Sequence, residues 1–577
     1  MRVENIRVLI LRRSSIFLLL LLVSLILIDK KLFAQEVGEV EKIEREIEKE
    51  RFLREKIKEK KEKPVIEEKP VERIAPPVLE EKIFIKKINV KGVTLLPEKE
   101  INEIILPFEN KELTLRQMQE VADRITDVYR QKGYVTSRAY LPPQKIKEGV
   151  LEIKVIEGAT GEIEIKGNRY FRTSFLRKKI TLREGEPFNY NILRKDLMEI
   201  NAHPDRSCRA VLMAGKEPGT TDIVLEVVDR FPVHIGFEWD NFGSRYIGKD
   251  RYRLTLTHNN FLGLDDILTL QYQLAEAEAY RLTGLHYLFP VAEDLEVGFF
   301  FARTKLNLGK EYKDLEARGK SRLYSIYATY SLIDEENIGL NLNLGFDYKD
   351  IFNFQLGNET SRDRMRVVKL SLDLDLADRL GRTLIINELN FGVPEIMGGL
   401  DSQDEKASRA GSGGKFIKNN LSLLRLHRMP FDSTLLLKNQ FQFSPYILPA
   451  CEQFQIGGIA NVRGYPPAEK VGDKGYAVTL EWSFPPYFIP KDVKLPFLDV
   501  KGYDALRFVI FYDWANTHLR NPQAGEEKDE TLSGIGWGLR LTLPEDFSAR
   551  VDFAWPLMET PSDEDHLHIW MSISKKF

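Results

Sequence analysis

From residue 233 to the C-terminus the chain alternates between apolar and polar positions. ILTLQYQL sets Leu268, Leu270, Tyr272 and Leu274 against Thr269, Gln271 and Gln273. IGLNLNLGFDY sets Leu340, Leu342, Leu344, Phe346 and Tyr348 against Asn341, Asn343 and Asp347. VKLSLDLDL and GWGLRLTL repeat the pattern. A period of two is that of a β-strand, whose successive side chains point to opposite faces. A soluble sheet with one wet face would also alternate. Here the apolar faces are unusually pure, and the polar faces carry Asn, Asp and Lys, as a wet lumen would. The pattern predicts a closed transmembrane barrel, because a sheet in lipid must leave no backbone edge unpaired. At roughly 10 residues per strand plus connections, residues 232–577 suit about 16 strands. The last strand, HLHIWMSISKKF, puts Leu567, Ile569, Met571, Ile573 and Phe577 on one face. Phe577 is the expected C-terminal barrel signal.

Two stretches upstream show helical rather than two-fold spacing. In residues 81–158, IFIKKINVKG reads as a strand and LPEKEINEIILPF as a helix bearing Ile101, Ile104 and Ile105 on one face. LTLRQMQEVADRITDVYRQKGY reads as a second helix, capped by Thr114 and stopped at Gly133, with Leu115, Met118, Val121, Ile125, Val128 and Tyr129 inward. VTSRAYLP and GVLEIKVIEG close a β-α-α-β-β unit. Residues 159–231 repeat that order, from GEIEIKGN to TTDIVLEVVD. A tandem of small α/β units without reactive side chains predicts a binding platform.

The first 80 residues are different again. Arg2, Arg7, Arg12 and Arg13 precede the apolar run Ile16–Ile28, which is too short to span a bilayer comfortably. Residues 1–34 read as an export signal with cleavage after Ala34, and a retained anchor is the alternative reading. Residues 35–80 are dense in Glu, Lys and Arg. Within them 39–63 has helical spacing, and Pro64, Pro70, Pro76 and Pro77 impose an extended linker.

Composition narrows the function. There are 84 Lys and Arg against 87 Asp and Glu, a formal net charge of −3, so nothing points to nucleic acid. The two cysteines, Cys208 and Cys451, form neither a CxxC nor a disulfide framework. His566 and His568 alternate on a strand and read as lumen or loop residues rather than metal ligands. No GxSxG elbow, HExxH or GxxxxGK[ST] loop occurs. These signs predict no enzyme, no cofactor and no nucleotide-driven step.

One polar stretch stands apart. IGGIANVRGYPPAEKVGDKGY carries a single arginine, Arg463, among glycines. An arginine in a barrel interior needs a partner, because an unpaired desolvated charge is costly. ALRFVIFYDWA offers one. Phe508, Ile510, Tyr512 and Trp514 share one face, so Asp513 falls on the other with Arg507, Val509, Phe511 and Ala515. Parity also allows a second arrangement, with Arg463 in an external loop in water. In a wet lumen the pair would contribute about 1–3 kcal/mol.

EQFQIGGIANVRGY resembles the loop motif of two-partner secretion transporters of the haemolysin and filamentous-haemagglutinin type. The units at 81–158 and 159–231 resemble that family's two POTRA domains. FYDWA resembles its F-x-D-x-G strand motif, with Ala515 where glycine is usual. The resemblance implies a mainly β protein of the outer membrane, with a 16-stranded barrel and two periplasmic POTRA domains. It implies a pore loop built on Gly457, Gly458, Val462, Arg463, Gly464 and Tyr465. The wall motif Phe511, Asp513 and Ala515 would receive that loop, with Arg463 on Asp513, and residues 39–63 would plug the pore. The implied partners are a secreted β-helical exoprotein of adhesin or haemolysin type, outer-membrane lipid and periplasmic chaperones. An insertase of the same superfamily would share the VRGY motif, but insertases usually carry more POTRA units.

Overall fold

The computed structural model describes residues 66–68, 82–275, 279–309, 313–335, 337–496, 499–522, 526–544 and 546–577. The expected signal (1–34) and the candidate plug (39–63) lie outside them. The chain divides into two compact units that meet in sequence at Pro232 and Val233.

The first unit holds both α/β modules. A short strand β1 (Ile66–Glu68) precedes them. The first module runs β2 (Lys82–Ile85), β3 (Lys87–Lys91), α1 (Glu98–Ile105), β4 (Lys111–Thr114), α2 (Leu115–Gln131), β5 (Arg138–Tyr140) and β6 (Val150–Ile156). The expected order is present with two additions, a split first strand and β4 between the helices. IFIKKINVKG is two strands, not one. At the break the carbonyl of Gly149 accepts from the amides of Lys86 and Lys87, at 2.8 and 3.2 Å. β2 then leaves to pair with β4, while β3 lies parallel to β6.

Helix α2 starts where its sequence says. Thr114 and Gln117 cap it reciprocally, satisfying two amides that a helix end leaves open. Its face of Met118, Val121, Ala122, Ile125 and Tyr129 fills the module core with Ile85, Ile88, Leu151 and Ile153. Gly133 beyond it adopts φ +92°, which suits glycine.

The second module runs β7 (Ala159–Lys166), α3 (Thr173–Lys178), α4 (Tyr190–Asn201), β8 (Arg206–Ala214) and β9 (Thr220–Asp229). Its sheet has the order β1-β8-β9-β7, so β1 is an added edge strand, parallel to β8. Only Glu157 and Gly158 separate β6 from β7. The amide of Tyr190 donates to the carbonyl of Gly133 at 2.8 Å, tying the start of α4 to the end of α2.

The second unit is the barrel. Its wall strands begin with β10 (Val233–Asp240), β11 (Arg251–His258), β12 (Ile267–Ala275), β13 (Tyr280–Ala292), β14 (Leu295–Asn307), β15 (Arg318–Asp334), β16 (Ile338–Gln355) and β17 (Asn358–Asp378). β18 (Gly381–Gly392), β19 (Phe416–Met429) and β20 (Ser433–Phe443) follow. A small ribbon, β21 (Phe454–Ile456) with β22 (Lys470–Gly472), interrupts the order. The wall resumes with β23 (Lys474–Phe484), then a short helix α5 (Gly502–Ala505), β24 (Leu506–His518), β25 (Asp529–Leu543), β26 (Phe547–Pro556) and β27 (His568–Lys576).

Among the described residues, sixteen antiparallel strands close on themselves, each beside its sequence neighbour in the wall. The seam joins β10 to β27, from Gly236 opposite Lys576 to Asp240 opposite Ser572. Phe577 extends it by donating its amide to the carbonyl of Ile235 at 2.8 Å. Alternation sorts as expected. Leu270, Tyr272, Leu344, Leu372, Ile510, Tyr512, Ile569 and Ile573 are exposed on the outer face, while Gln273, Asp347, Ser371, Asp513 and Asp552 are buried on the inner one.

One acid organises the first module. Glu157 accepts from the amides of Thr94 and Leu95 at 2.7 and 2.9 Å and from the Tyr129 hydroxyl at 2.6 Å. Burial alone would raise its pKa, but the donors of Thr94 and Tyr129 outweigh burial and hold it below the usual range. A depressed carboxylate contributes stability above its unfolded value of about 4.3, and that contribution is lost as pH falls through the folded value. Acidification from about pH 5 to pH 3 should therefore loosen this module. In the full chain, hydrogen-exchange protection at Thr94 and Leu95, corrected for the intrinsic rate, should fall. Glu157→Gln should cost about 1–2 kcal/mol and remove most of that acid dependence.

Candidate functional site

The connection from β20 to β23 contains the glycine-rich stretch. β21 and β22 pair from Phe454 opposite Gly472 to Ile456 opposite Lys470, and the loop between them is drawn tight. Gly457 and Gly458 take φ of +111° and +74°, which favour glycine. Asn461 ties the turn from within. Its side-chain oxygen accepts from the amides of Gly457 and Val462, at 2.8 and 2.9 Å, and its amide group donates to the carbonyl of Gln455. Lys438 of β20 donates to the carbonyl of Ala460 at 2.6 Å. Val462 and Tyr465 are fully buried with Ile456, Ala477, Ala515 and Leu532. The methyl group of Ala515 is thus absorbed into a packed cluster.

The structure brings Arg463 and Asp513 together. The guanidinium donates twice to the carboxylate, Nε at 2.8 Å and Nη2 at 3.0 Å, and the Arg463 amide adds a third bond at 3.2 Å. This fork suits arginine and not lysine. The guanidinium also stacks on Phe511, 3.3 Å from the ring centroid. From the other side the Trp570 indole donates to the Arg463 carbonyl at 2.7 Å.

The pair has further partners that strand parity could have supplied. On β23, Tyr476, Leu480 and Trp482 face outward, which puts Glu481 on the inner face. Arg463 Nη1 donates to Glu481 at 2.7 Å. Asp552 of β26 lies 3.7 Å from the same nitrogen and also binds Arg540 and Arg550, at 2.5 and 2.6 Å. Three guanidiniums therefore meet three carboxylates, drawn from the loop and from strands β23 to β26. The expected wet setting does not hold here. The side chains of Arg463, Glu481, Asp513 and Asp552 are 0–4% exposed. Breaking such a dry pair costs about 3–5 kcal/mol rather than the smaller wet-lumen figure.

The room for this cluster comes from β25. Its segment GIGWG places Gly534, Gly536 and Gly538 on the inner face. A Cβ at 536 would meet the Phe511 ring at 2.3 Å, and one at 538 the Asp552 carboxylate at 2.1 Å. Alternate glycines in a strand mark a close approach by another group, so GIGWG is the sequence signal for this trough. Gly464 fits the same trough: a Cβ there would lie 2.7 Å from the carbonyl oxygen of Trp555.

The model of the haemolysin secretion/activation protein family (ShlB/FhaC/HecB) matches residues 219–541. The chain belongs to this family. A ShlB-type POTRA model matches 83–158, and a second POTRA model (surface antigen variable number repeat) matches 159–203. The outer membrane transporter CdiB of Escherichia coli is 30% identical over 85% of this chain and 82% of its own length. The heme/hemopexin transporter protein HuxB of Haemophilus influenzae is 23% identical over 83% and 84%. The solved structure of CdiB from Escherichia coli has the same fold, with a TM-score of 0.69 at 19% identity, over 95% of this chain and all of that one. The protein is thus a two-partner secretion transporter of the outer membrane, with its POTRA domains in the periplasm and a secreted protein as partner.

The remaining flagged residues lie away from the loop anchor. Cys208 is buried in the second POTRA module, where burial pushes its thiol up to about 12. Cys451 is buried at the root of the loop. His568 is buried, 3.2 Å from Asp563 and stacked on Trp570, and Asp565 lies close by. His566 is not part of that group.

Gly464→Val should overpack the trough against backbone atoms that cannot yield, at a cost of about 1–3 kcal/mol. The loop should lift, and the peptide bond after Arg463 should become cleavable by trypsin in folded, heat-modifiable protein. The parent protein should resist at that bond.

Proposed function

We propose that the chain takes up an exoprotein unfolded in the periplasm, holds it by backbone pairing along β8 in the place of β1, and passes it extended through the barrel. The cargo is of the large β-helical kind, an adhesin or haemolysin. Periplasmic chaperones keep it unfolded, and outer-membrane lipid surrounds the apolar belt. No nucleotide is consumed. Folding of the cargo outside withdraws the unfolded species and biases transport.

The observation that carries this reading is the added strand. Ile66–Glu68 already lies along β8 in parallel register, Ile66 opposite Ala210 and Glu68 opposite Leu212. That edge therefore accepts an extended segment with little demand on its sequence, which is how strand addition recognises partners. A photo-crosslinker at Arg209, exposed on β8, should capture cargo during secretion. The same probe at Lys166 on β7, at the other edge of the sheet, should not. Equal capture at both would remove the edge-strand account.

The anchored loop sets the passage. Arg463→Ala leaves Asp513 buried without its fork and should reduce secretion strongly while the barrel still assembles. Asp513→Ala should be milder, because Arg463 keeps Glu481. The double variant should be little worse than Arg463→Ala, since both changes remove one contact. Arg463→Lys cannot make the fork and should not restore secretion. Independent, multiplying losses in the double variant would show that loop position is not what these residues control.

A further inference from the structure

Two connections lie at the end of the barrel where β10 begins. One is the turn Pro430, Phe431 and Asp432 between β19 and β20. The other lies between β23 and β24 and is described over 485–496 and 499–505. Phe431 and Asp432 both adopt left-handed backbone, with φ of +61° and +56°. Neither is glycine, and a bulky residue in that region is strained. The turn is nevertheless gripped on several sides. Tyr487 donates to the Phe431 carbonyl at 2.8 Å and Arg507 to the Asp432 carbonyl at 3.3 Å. The Asp432 carboxylate takes Lys491 at 3.2 Å and Tyr503 at 3.0 Å.

What this strained, well-held turn presents is a bare ring. Phe431 is 82% exposed and Phe488, across from it in sequence on the other connection, is 75% exposed. Phe488 packs edge-on against Phe508, and Tyr487 stacks on Phe484. Phe484 and Phe508 share the outward parity of Trp482 and Ile510, so these rings continue the lipid-facing wall beyond its last strand residues. Beside them is a recess of about 290 Å³ lined by Asp432, Lys491, Lys501, Tyr503, Asp504 and Arg507. Three cations and two carboxylates around one recess match a headgroup that carries both a phosphate and an amine. Aromatic rings with flanking Lys and Arg are the side chains that settle at a membrane interface.

We propose that these two connections form a foot seated in the periplasmic phospholipid leaflet. The rings of Phe431 and Phe488 enter the interface, and the recess takes the phosphoethanolamine headgroup of one phospholipid. Lys491, Lys501 and Arg507 face its phosphate, and Asp504 faces its amine. The left-handed turn serves to aim Phe431 into the leaflet, and the grip of Tyr487, Tyr503 and Arg507 holds it there.

The two native cysteines are buried, so a surface probe can be placed by Phe431→Cys, Phe488→Cys or, in the second POTRA module, Glu217→Cys. Each variant is labelled with an environment-sensitive fluorophore and reconstituted into phosphatidylethanolamine–phosphatidylglycerol vesicles containing brominated lipid. Heat-modifiable mobility verifies the barrel, and Phe488→Cys serves if Phe431→Cys fails to fold. Probes at 431 and 488 should shift to the blue and be quenched at least about twofold more than the probe at 217. Water-like emission at both, in folded barrels, overturns the foot. Native mass spectrometry then tests the recess. Lys491→Gln combined with Arg507→Gln should lose co-purifying phosphatidylethanolamine severalfold, and unchanged retention overturns the headgroup assignment. Neither readout depends on secretion.

Discussion

Hydrocarbon offers no hydrogen bonds, and the rest of this barrel follows from that constraint. A sheet edge left open in lipid costs several kcal/mol for each unpaired backbone group. The wall therefore closes, and β10 meets β27. Closure makes an interior, and polar side chains on every strand must then find partners there. A loop that enters such an interior can be held by charge, since the inner face already supplies it. Arg463 meets Asp513 and Glu481 because closure placed both carboxylates on the inside.

Holding charge in a dry place demands balance. One arginine against one aspartate would leave Glu481 and Asp552 facing each other, and like charges that close are destabilising. Arg540 and Arg550 even the count. Geometry demands room as well. The glycines at 534, 536 and 538 give up side chains so that the Phe511 ring, the loop backbone and the Asp552 carboxylate can approach β25. A strand interior gains nothing from glycine on its own account, so these three positions make sense only with the loop in place.

Much of this was legible in the residues. Period-two alternation set the barrel apart, and parity on ALRFVIFYDWA put Asp513 inside. The capped, Gly-stopped helix at 115–131 followed from Thr114 and Gly133. What alternation does not encode is which inner positions meet. Glu481, Arg540, Arg550 and Asp552 each have inward parity, but their convergence depends on register across four strands and on the depth of the loop. The pairing of Ile66–Glu68 with β8 was invisible for a related reason: a backbone-held strand needs no apolar pattern. The break at Lys86 turned on a single carbonyl, that of Gly149, far away in sequence.

The indole of Trp570 has a double allegiance. It belongs to β27, the last stave of the wall, and it packs on Phe242 just past β10, the first. Yet its one hydrogen bond is given to the loop, at the carbonyl of Arg463. The interior ornament and the exterior joint therefore share a fastener. Coupling of this kind is reciprocal: the free energy by which a seated loop tightens the joint equals that by which a tight joint retains the loop. Anything that draws the loop away therefore also loosens the stave.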